Sequence, residues 1–303
     1  MRQDDLTALL DRIPVLQGRP RSVTELSGGL TNENLRVTTD DADYVVRRFR
    51  GDPELLGIDR DAEHANSRAA AEAGVGAPVL DYLPHLGVLV IGYIDGVTYD
   101  NGSFADPKAL ERAALAIRSL HGGPRFTGDF DMFRRQGRYL RTVRDRGYPL
   151  FRGYEDYAEH FARVRAALMV RAQPTVPCNN DLLAGNFLDD GERVWLIDYE
   201  YSGNNDACFE LGNTSTECDL DDDQVESLVA AYFGKASRGK LARVRLQALV
   251  SAYGWSLWGA IQSAASSLDF DFESWGRERF EKAVRGFTGD RFTTLLEDAA
   301  RGE

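Results

Sequence analysis

CNNDLLAGNFL, residues 178–188, sets Asp181 five residues ahead of Asn186 and runs straight into a turn. Behind Phe187 and Leu188 come the turn formers Asp189, Asp190, Gly191 and Glu192, then the apolar run Val194, Trp195, Leu196 and Ile197, ending at Asp198. Two short apolar runs around such a turn predict a hairpin. Asn186 and Asp198 are equidistant from Glu192, so antiparallel pairing brings them to the same end within a residue or two of register. Asp181 then sits on the loop leading in.

An Asn amide oxygen and an Asp carboxylate at one hairpin end form a hard-oxygen site suited to Mg²⁺, which takes few protein ligands and leaves positions open for phosphate oxygens. A second carboxylate five residues upstream can orient or deprotonate a hydroxyl. Together they form the arrangement of kinase-type phosphoryl transfer, in which positioning and metal charge lower the barrier. The competing reading is that Asp and Asn at this spacing only cap turns.

Composition sets the frame. A chain of 303 residues with 43% hydrophobic content buries a large core, as one two-lobed unit or two domains. Acidic residues (48) outnumber basic ones (36), and a net charge of -12 makes duplex nucleic acid or an anionic membrane surface a poor partner while favouring a cationic substrate. Cys178, Cys208 and Cys218 have neither disulfide-framework nor zinc spacing and read as free thiols. Asp4, Asp5 and Asp11 interrupt any signal-peptide run, and no stretch of 18 apolar residues occurs, so a cytoplasmic location is expected.

Helical spacing of Leu6, Leu9, Leu10 and Ile13 predicts a short opening helix. Residues 23–39 and 43–49 read as three antiparallel strands, 60–73 as a helix, and 87–94 as a further buried strand. Beyond Gly96 helical periodicity dominates, over 109–121, 154–170, 222–234 and 240–267. The expected lobes are 1–95, clamping a nucleotide, and 96–303, carrying catalysis and substrate binding.

Ser27, Gly28, Gly29, Leu30, Thr31 and Asn32 lie between two strand signals of the small lobe, where glycines let backbone amides approach a triphosphate. The next strand supplies Arg47 and the following helix Glu63, the strand cation and helix acid that position the α- and β-phosphates in kinases.

At this point the sequence resembles the choline/ethanolamine kinases, which share with the aminoglycoside phosphotransferases a protein-kinase-like fold. The matching segments are LSGGLTNENLRV, YVVRRF with IDRDAEHAN, NNDLLAGN, LIDYEYSGNN with ELGNTSTE, and GWSLWGAIQSAASSLDFDFESWGRERF, nearly the whole chain. The resemblance implies an α+β, two-lobed fold with a small antiparallel-sheet lobe and a mainly helical lobe. It implies ATP and Mg²⁺ as cofactors, Asp181 as the catalytic Asp, Asn186 and Asp198 as metal ligands, and Glu200 as a further metal or supporting residue. Ser27, Gly28, Gly29, Thr31, Asn32, Arg47 and Glu63 would clamp ATP. One departure stands out: Asn179 replaces the His that braces this loop in the family, and an amide can still donate and accept hydrogen bonds.

Trp255 and Trp258 are three residues apart on a predicted helix and share a face, with Gln262 continuing it. Such aromatic spacing alone usually means core. By resemblance these tryptophans, with Tyr201, Phe272 and Trp275, line a pocket for a small cationic amino alcohol, each ring contributing about 0.5–2 kcal/mol of cation–π attraction. Glu217 is a candidate carboxylate for the same amine. The ring count favours choline over ethanolamine. Other readings are a thiamine or aminoglycoside kinase, the latter expected to show many carboxylates and no paired tryptophans, and a catalytically silent choline-binding protein.

Overall fold

The computed structural model describes residues 3–26, 29 and 31–302. The chain opens with helix α1 (Gln3–Leu10) and enters strands β1 (Ser22–Leu26), β2 (Asn32–Thr38) and β3 (Asp43–Phe49). A short helix α2 (Pro53–Leu56) and the helix α3 (Arg60–Glu72) precede β4 (Val79–Leu83) and β5 (Val88–Gly92). These five strands form one antiparallel sheet in the order β1-β2-β3-β5-β4. The apolar alternation of β2, β3 and β5 buries Leu35, Val37, Val46, Val88 and Val90 against Leu10, Ile13 and Leu16 of the opening segment.

β4 was not expected. Its pairing with β5 shifts register between Val79 and Asp81, and that irregularity, next to Pro78, breaks the period-two pattern by which a strand is recognised.

A short strand β6 (Val97–Thr98) leads into the larger, mainly helical part: α4 (Pro107–His121), α5 (Met132–Arg146) and α6 (Ala158–Val170). Four short strands follow, β7 (Thr175–Cys178), β8 (Phe187–Asp189), β9 (Val194–Leu196) and β10 (Gly203–Asp206). The chain ends in α7 (Ala207–Glu217), α8 (Asp222–Phe233), α9 (Arg238–Ala265), α10 (Phe272–Thr288) and α11 (Phe292–Arg301). The segment 154–157 expected to begin a helix is a tight 3-10 turn ahead of α6.

Five helices, α2, α5, α7, α10 and α11, lie outside the helical segments expected from the sequence. In α5 six arginines and Gly137 dilute the apolar face, yet Met132, Tyr139 and Val143 are buried. In α10 the same is true of Gly276 and Gly286 among charged residues, and α11 is short. Helix α9, about 42 Å long at the usual rise, is the spine that α5, α7, α10 and α11 pack against. It crosses α10 where two glycines meet: a Cβ on Gly259 would stand 2.6 Å from the Gly276 Cα, so both positions exclude a side chain.

Candidate active site

The hairpin expected from 187–198 is present. Phe187 pairs with Leu196, and the Ile197 amide donates to the Asn186 carbonyl at 3.0 Å, so Asp198 lies one residue past the partner of Asn186. Its turn is built by Asp190, whose Oδ1 accepts from the Glu192 and Arg193 amides at 2.8 Å each, and by Gly191 at φ 91°.

Leading in, Cys178 at the end of β7 pairs with Gly203 of β10 and delivers the chain into a loop held by side chains. Glu210, fully buried in the first turn of α7, accepts the Asn179 and Asn180 amides at 2.7 and 2.6 Å. Asn180 adopts φ 68° and donates to the carbonyls of Cys178, Tyr201 and Gly203. Asn179 takes the bracing position: its Nδ2 donates to the carbonyls of Ile197 (3.1 Å) and Asp198 (2.8 Å), and its Oδ1 accepts the Asp181 amide at 3.1 Å. One amide thus ties the Asp181 loop to the Asp198 loop. Asn179→Ala removes all three bonds and is expected to cost about 2–4 kcal/mol of stability and to lower kcat at least about tenfold. Chemical denaturation beside steady-state kinetics checks it; unchanged kcat would mean the loop does not depend on this brace.

Spacing along the chain gave the cysteines no partner, but folding does. His121, 57 residues from Cys178, places its Nε2 3.4 Å from the thiol, and the ligand atoms of His121, Cys178 and Glu210 lie within 4.8 Å of one another. Because the Glu210 oxygens are engaged by the loop amides, this buried group acts as a buttress beneath the loop. All three cysteines are free and buried.

Of the two proposed metal ligands, Asn186 donates through Nδ2 to the Asp181 carbonyl at 2.7 Å, which turns its Oδ1 to the opposite side. Asp198, at φ 65°, pairs through Oδ2 with Arg47, while its Oδ1 is buried with no hydrogen-bond partner among the described residues. A buried carboxylate oxygen without a donor is costly unless a cation fills the place. The donor set, hard oxygens with one orphaned, fits Mg²⁺.

Arg47 also pairs with Glu63 at 2.8 Å. Burial pulls the basicity of the guanidinium down, but the charges of Asp198, Glu63 and Glu200 outweigh it and raise its pKa above the ordinary value. The N-cap Asp59 fixes the start of α3 by accepting the Asp61 and Ala62 amides, which sets Arg60 and Glu63 in the first turn. Arg60 had no local signal, yet it bridges Glu63 at 2.6 Å and Glu200 at 3.3 Å.

Glu200 faces the small lobe. Its Oε1 accepts from the Thr31 hydroxyl at 2.7 Å, and its Oε2 from the Asn32 amide at 2.9 Å and from Arg60. Burial and the nearby Asp198 push its carboxyl up to about 7, against the pull of Arg47. Thr31, Asn32, Arg47 and Glu63 are thus assembled around one point. Gly29 sits just before them, where a Cβ would meet the Asn32 carbonyl at 2.4 Å. Ser27 and Gly28 lie outside the described residues.

On the other side, the aromatic residues gather. The Trp255 ring lies 4.9 Å from Tyr201, and Trp258 lies 5.6 Å from Phe272 and 5.1 Å from Trp275. Trp258 Nε1 donates to the Tyr201 hydroxyl at 2.8 Å, whereas Trp255 Nε1 is buried without a hydrogen-bond partner among the described residues. Glu217 is not a free carboxylate: Arg279 of α10 pairs with it. Between the two groups, burial and then the charges of Glu217, Asp198 and Glu200 push the Asp181 carboxyl well above the usual carboxylate range, while Arg279 pulls it down.

A small sheet over a helical lobe, with an Asp loop and an Asn/Asp hairpin end at the junction, defines a kinase-like phosphotransferase. Residues 22–246 match the phosphotransferase enzyme family. Ethanolamine kinase 2 of Rattus norvegicus is 28% identical over 287 residues, covering 84% of this chain and 73% of that protein. A crystal structure of a choline/ethanolamine kinase family protein from Mesorhizobium loti superposes with a TM-score of 0.88 at 35% identity over 100% of both chains. The choline kinase LicA of Streptococcus pneumoniae, at 23% identity, 94% and 99% coverage and a TM-score of 0.80, shares the fold. The chain belongs to the phosphotransferase enzyme family, and within it to the choline/ethanolamine kinases.

Proposed function

We propose that the protein transfers the γ-phosphoryl group of ATP to the hydroxyl of a small cationic amino alcohol, most favourably choline. The observation that carries this is the convergence of four carboxylates, Asp181, Asp198, Glu200 and Glu217, beside the Tyr201, Trp255, Trp258, Phe272 and Trp275 rings. Negative charge and ring faces together suit both a divalent metal and an ammonium group.

In this proposal Asp181 orients the substrate hydroxyl and accepts its proton, its carboxyl held above the usual carboxylate range by burial and by the charges of Glu217, Asp198 and Glu200. Arg47, held by Glu63, positions the phosphates, and the turn at Ser27, Gly28 and Gly29 with Thr31 and Asn32 covers them. Asn186 and Asp198 would hold Mg²⁺, which supplies charge neutralisation of the phosphate oxygens when bound. Glu200 joins them only by exchanging its present donors. The lobes divide near residue 95. Cytoplasmic ATP and a reducing milieu suit the three free thiols.

Ethanolamine is the second substrate, supported by the likeness to ethanolamine kinase 2. A coupled ATP-consumption assay over choline, ethanolamine, thiamine and kanamycin tests the proposal; turnover with kanamycin alone, or with none, would defeat it.

Trp258→Ala is expected to raise KM for choline about tenfold while leaving KM for ATP within about twofold. It also removes a buried ring and the donor to Tyr201, so the melting temperature should fall, in line with about 3–5 kcal/mol for a large core truncation. Trp258→Phe should recover part of both. Equal effects on the two KM values would show a packing role only.

A further inference from the structure

The aromatic group already holds a cation of its own. Arg279 lies one helical turn after Trp275 on α10, and its guanidinium carbon stands 3.3 Å from the centre of the Trp275 ring. Its Nη1 donates to the Trp275 carbonyl at 3.2 Å. Toward α7, its Nε donates to Glu217 Oε1 at 3.1 Å and its Nη2 pairs with Oε2. The Glu217 side chain is 2% exposed and that of Arg279 13%. Both Glu217 oxygens are therefore engaged, and one face of Trp275 is covered.

Those contacts distinguish amines by their chemistry. A primary ammonium carries three N–H donors and is held best by free carboxylate oxygens, whereas a quaternary ammonium has no donor and is held by ring faces. While Arg279 stays in place, each Glu217 oxygen already accepts from the guanidinium, so an incoming ammonium must compete with a charged donor for it. We propose that Arg279 is a specificity-determining residue: by engaging Glu217 it withholds the carboxylate from primary amines and so favours quaternary ammonium alcohols. The inference rests on the amino-alcohol kinase reading above. Without the guanidinium, Glu217 would be a buried, unpaired carboxylate beside Asp181, a place that a small primary ammonium is suited to fill.

The test is kcat/KM for choline and for ethanolamine at saturating ATP and Mg²⁺, in the unaltered chain, Arg279→Gln, Arg279→Lys and the double variant Arg279→Gln with Glu217→Gln. Arg279→Gln should raise the ethanolamine-to-choline ratio about tenfold, equivalent to about 1.4 kcal/mol, mainly through KM. Arg279→Lys, which keeps the charge, should stay nearer the original ratio. In the double variant, which lacks the freed carboxylate, the ratio should return to within about twofold of the original. Should Arg279→Gln not fold, Arg279→Met keeps the aliphatic stem over Trp275 and carries the same expectation. An unmoved ratio in a folded variant, or a rise that persists in the double variant, overturns the inference alone. An unaltered chain that phosphorylates neither alcohol overturns the amino-alcohol reading and this inference with it.

Discussion

Asp181→Ala is expected to lower kcat by about three to four orders of magnitude with no loss of stability. The two halves of that expectation have one origin. Asp181 is buried among the charges of Glu217, Asp198 and Glu200, which raise its pKa, so ionising it in the folded protein is unfavourable. Removing the carboxylate relieves that repulsion, while the loop keeps its shape through Glu210, Asn180 and Asn179. The melting temperature should therefore hold or rise as activity disappears. Asp181→Asn should behave alike, because the reaction needs the basic oxygen rather than the volume. Near-normal turnover in either variant would remove Asp181 from the chemistry.

Asp198→Asn should raise the Mg²⁺ concentration for half-maximal activity at least about tenfold and lower kcat about a hundredfold. The substitution keeps the shape of the side chain and removes the charge that faces both Arg47 and the orphaned Oδ1 position. Arg47 retains Glu63 at 2.8 Å, so the small lobe should stay assembled. A Mg²⁺ titration of activity, beside direct Mg²⁺ binding without nucleotide, decides the matter. An unchanged titration would place the metal elsewhere.

What could be foreseen from the sequence follows a physical line. The hairpin of Phe187 to Asp198 was legible because its signals, a turn and two apolar runs, are local, and symmetry about Glu192 then gave the register. Arg47 and Glu63 were legible because strand and helix each declare themselves. Glu210, Arg60 and Arg279 were not, since each acts through a partner far along the chain: Glu210 on amides at 179 and 180, Arg60 on Glu200, Arg279 on Glu217. Nothing in the spacing of an acid or a base says which distant group it meets. For the same reason the partners of Glu217 and Glu200 were not legible: Arg279 pairs with the first, and Thr31, Asn32 and Arg60 donate to the second. Asn179 shows the converse. It departs from the family His, yet the capacity of an amide to donate and accept was legible, and its side chain makes three hydrogen bonds across that loop.

The donors that converge on Glu200 also set a mechanical threshold. Thr31, Asn32 and Arg60 come from the sheet side and Glu200 from the hairpin side, so any motion that parts the two breaks three hydrogen bonds together. At about 1 kcal/mol net for each, the parted form is outnumbered by roughly a hundred to one or more. A molecule that enters between them must bind the parted form better by at least that ratio, or replace the same three donors as it arrives. Apparent affinity for an entering molecule is thus a difference between two sets of contacts, and Thr31→Val, which removes one bond of this clasp, lowers the threshold for parting by about 1 kcal/mol.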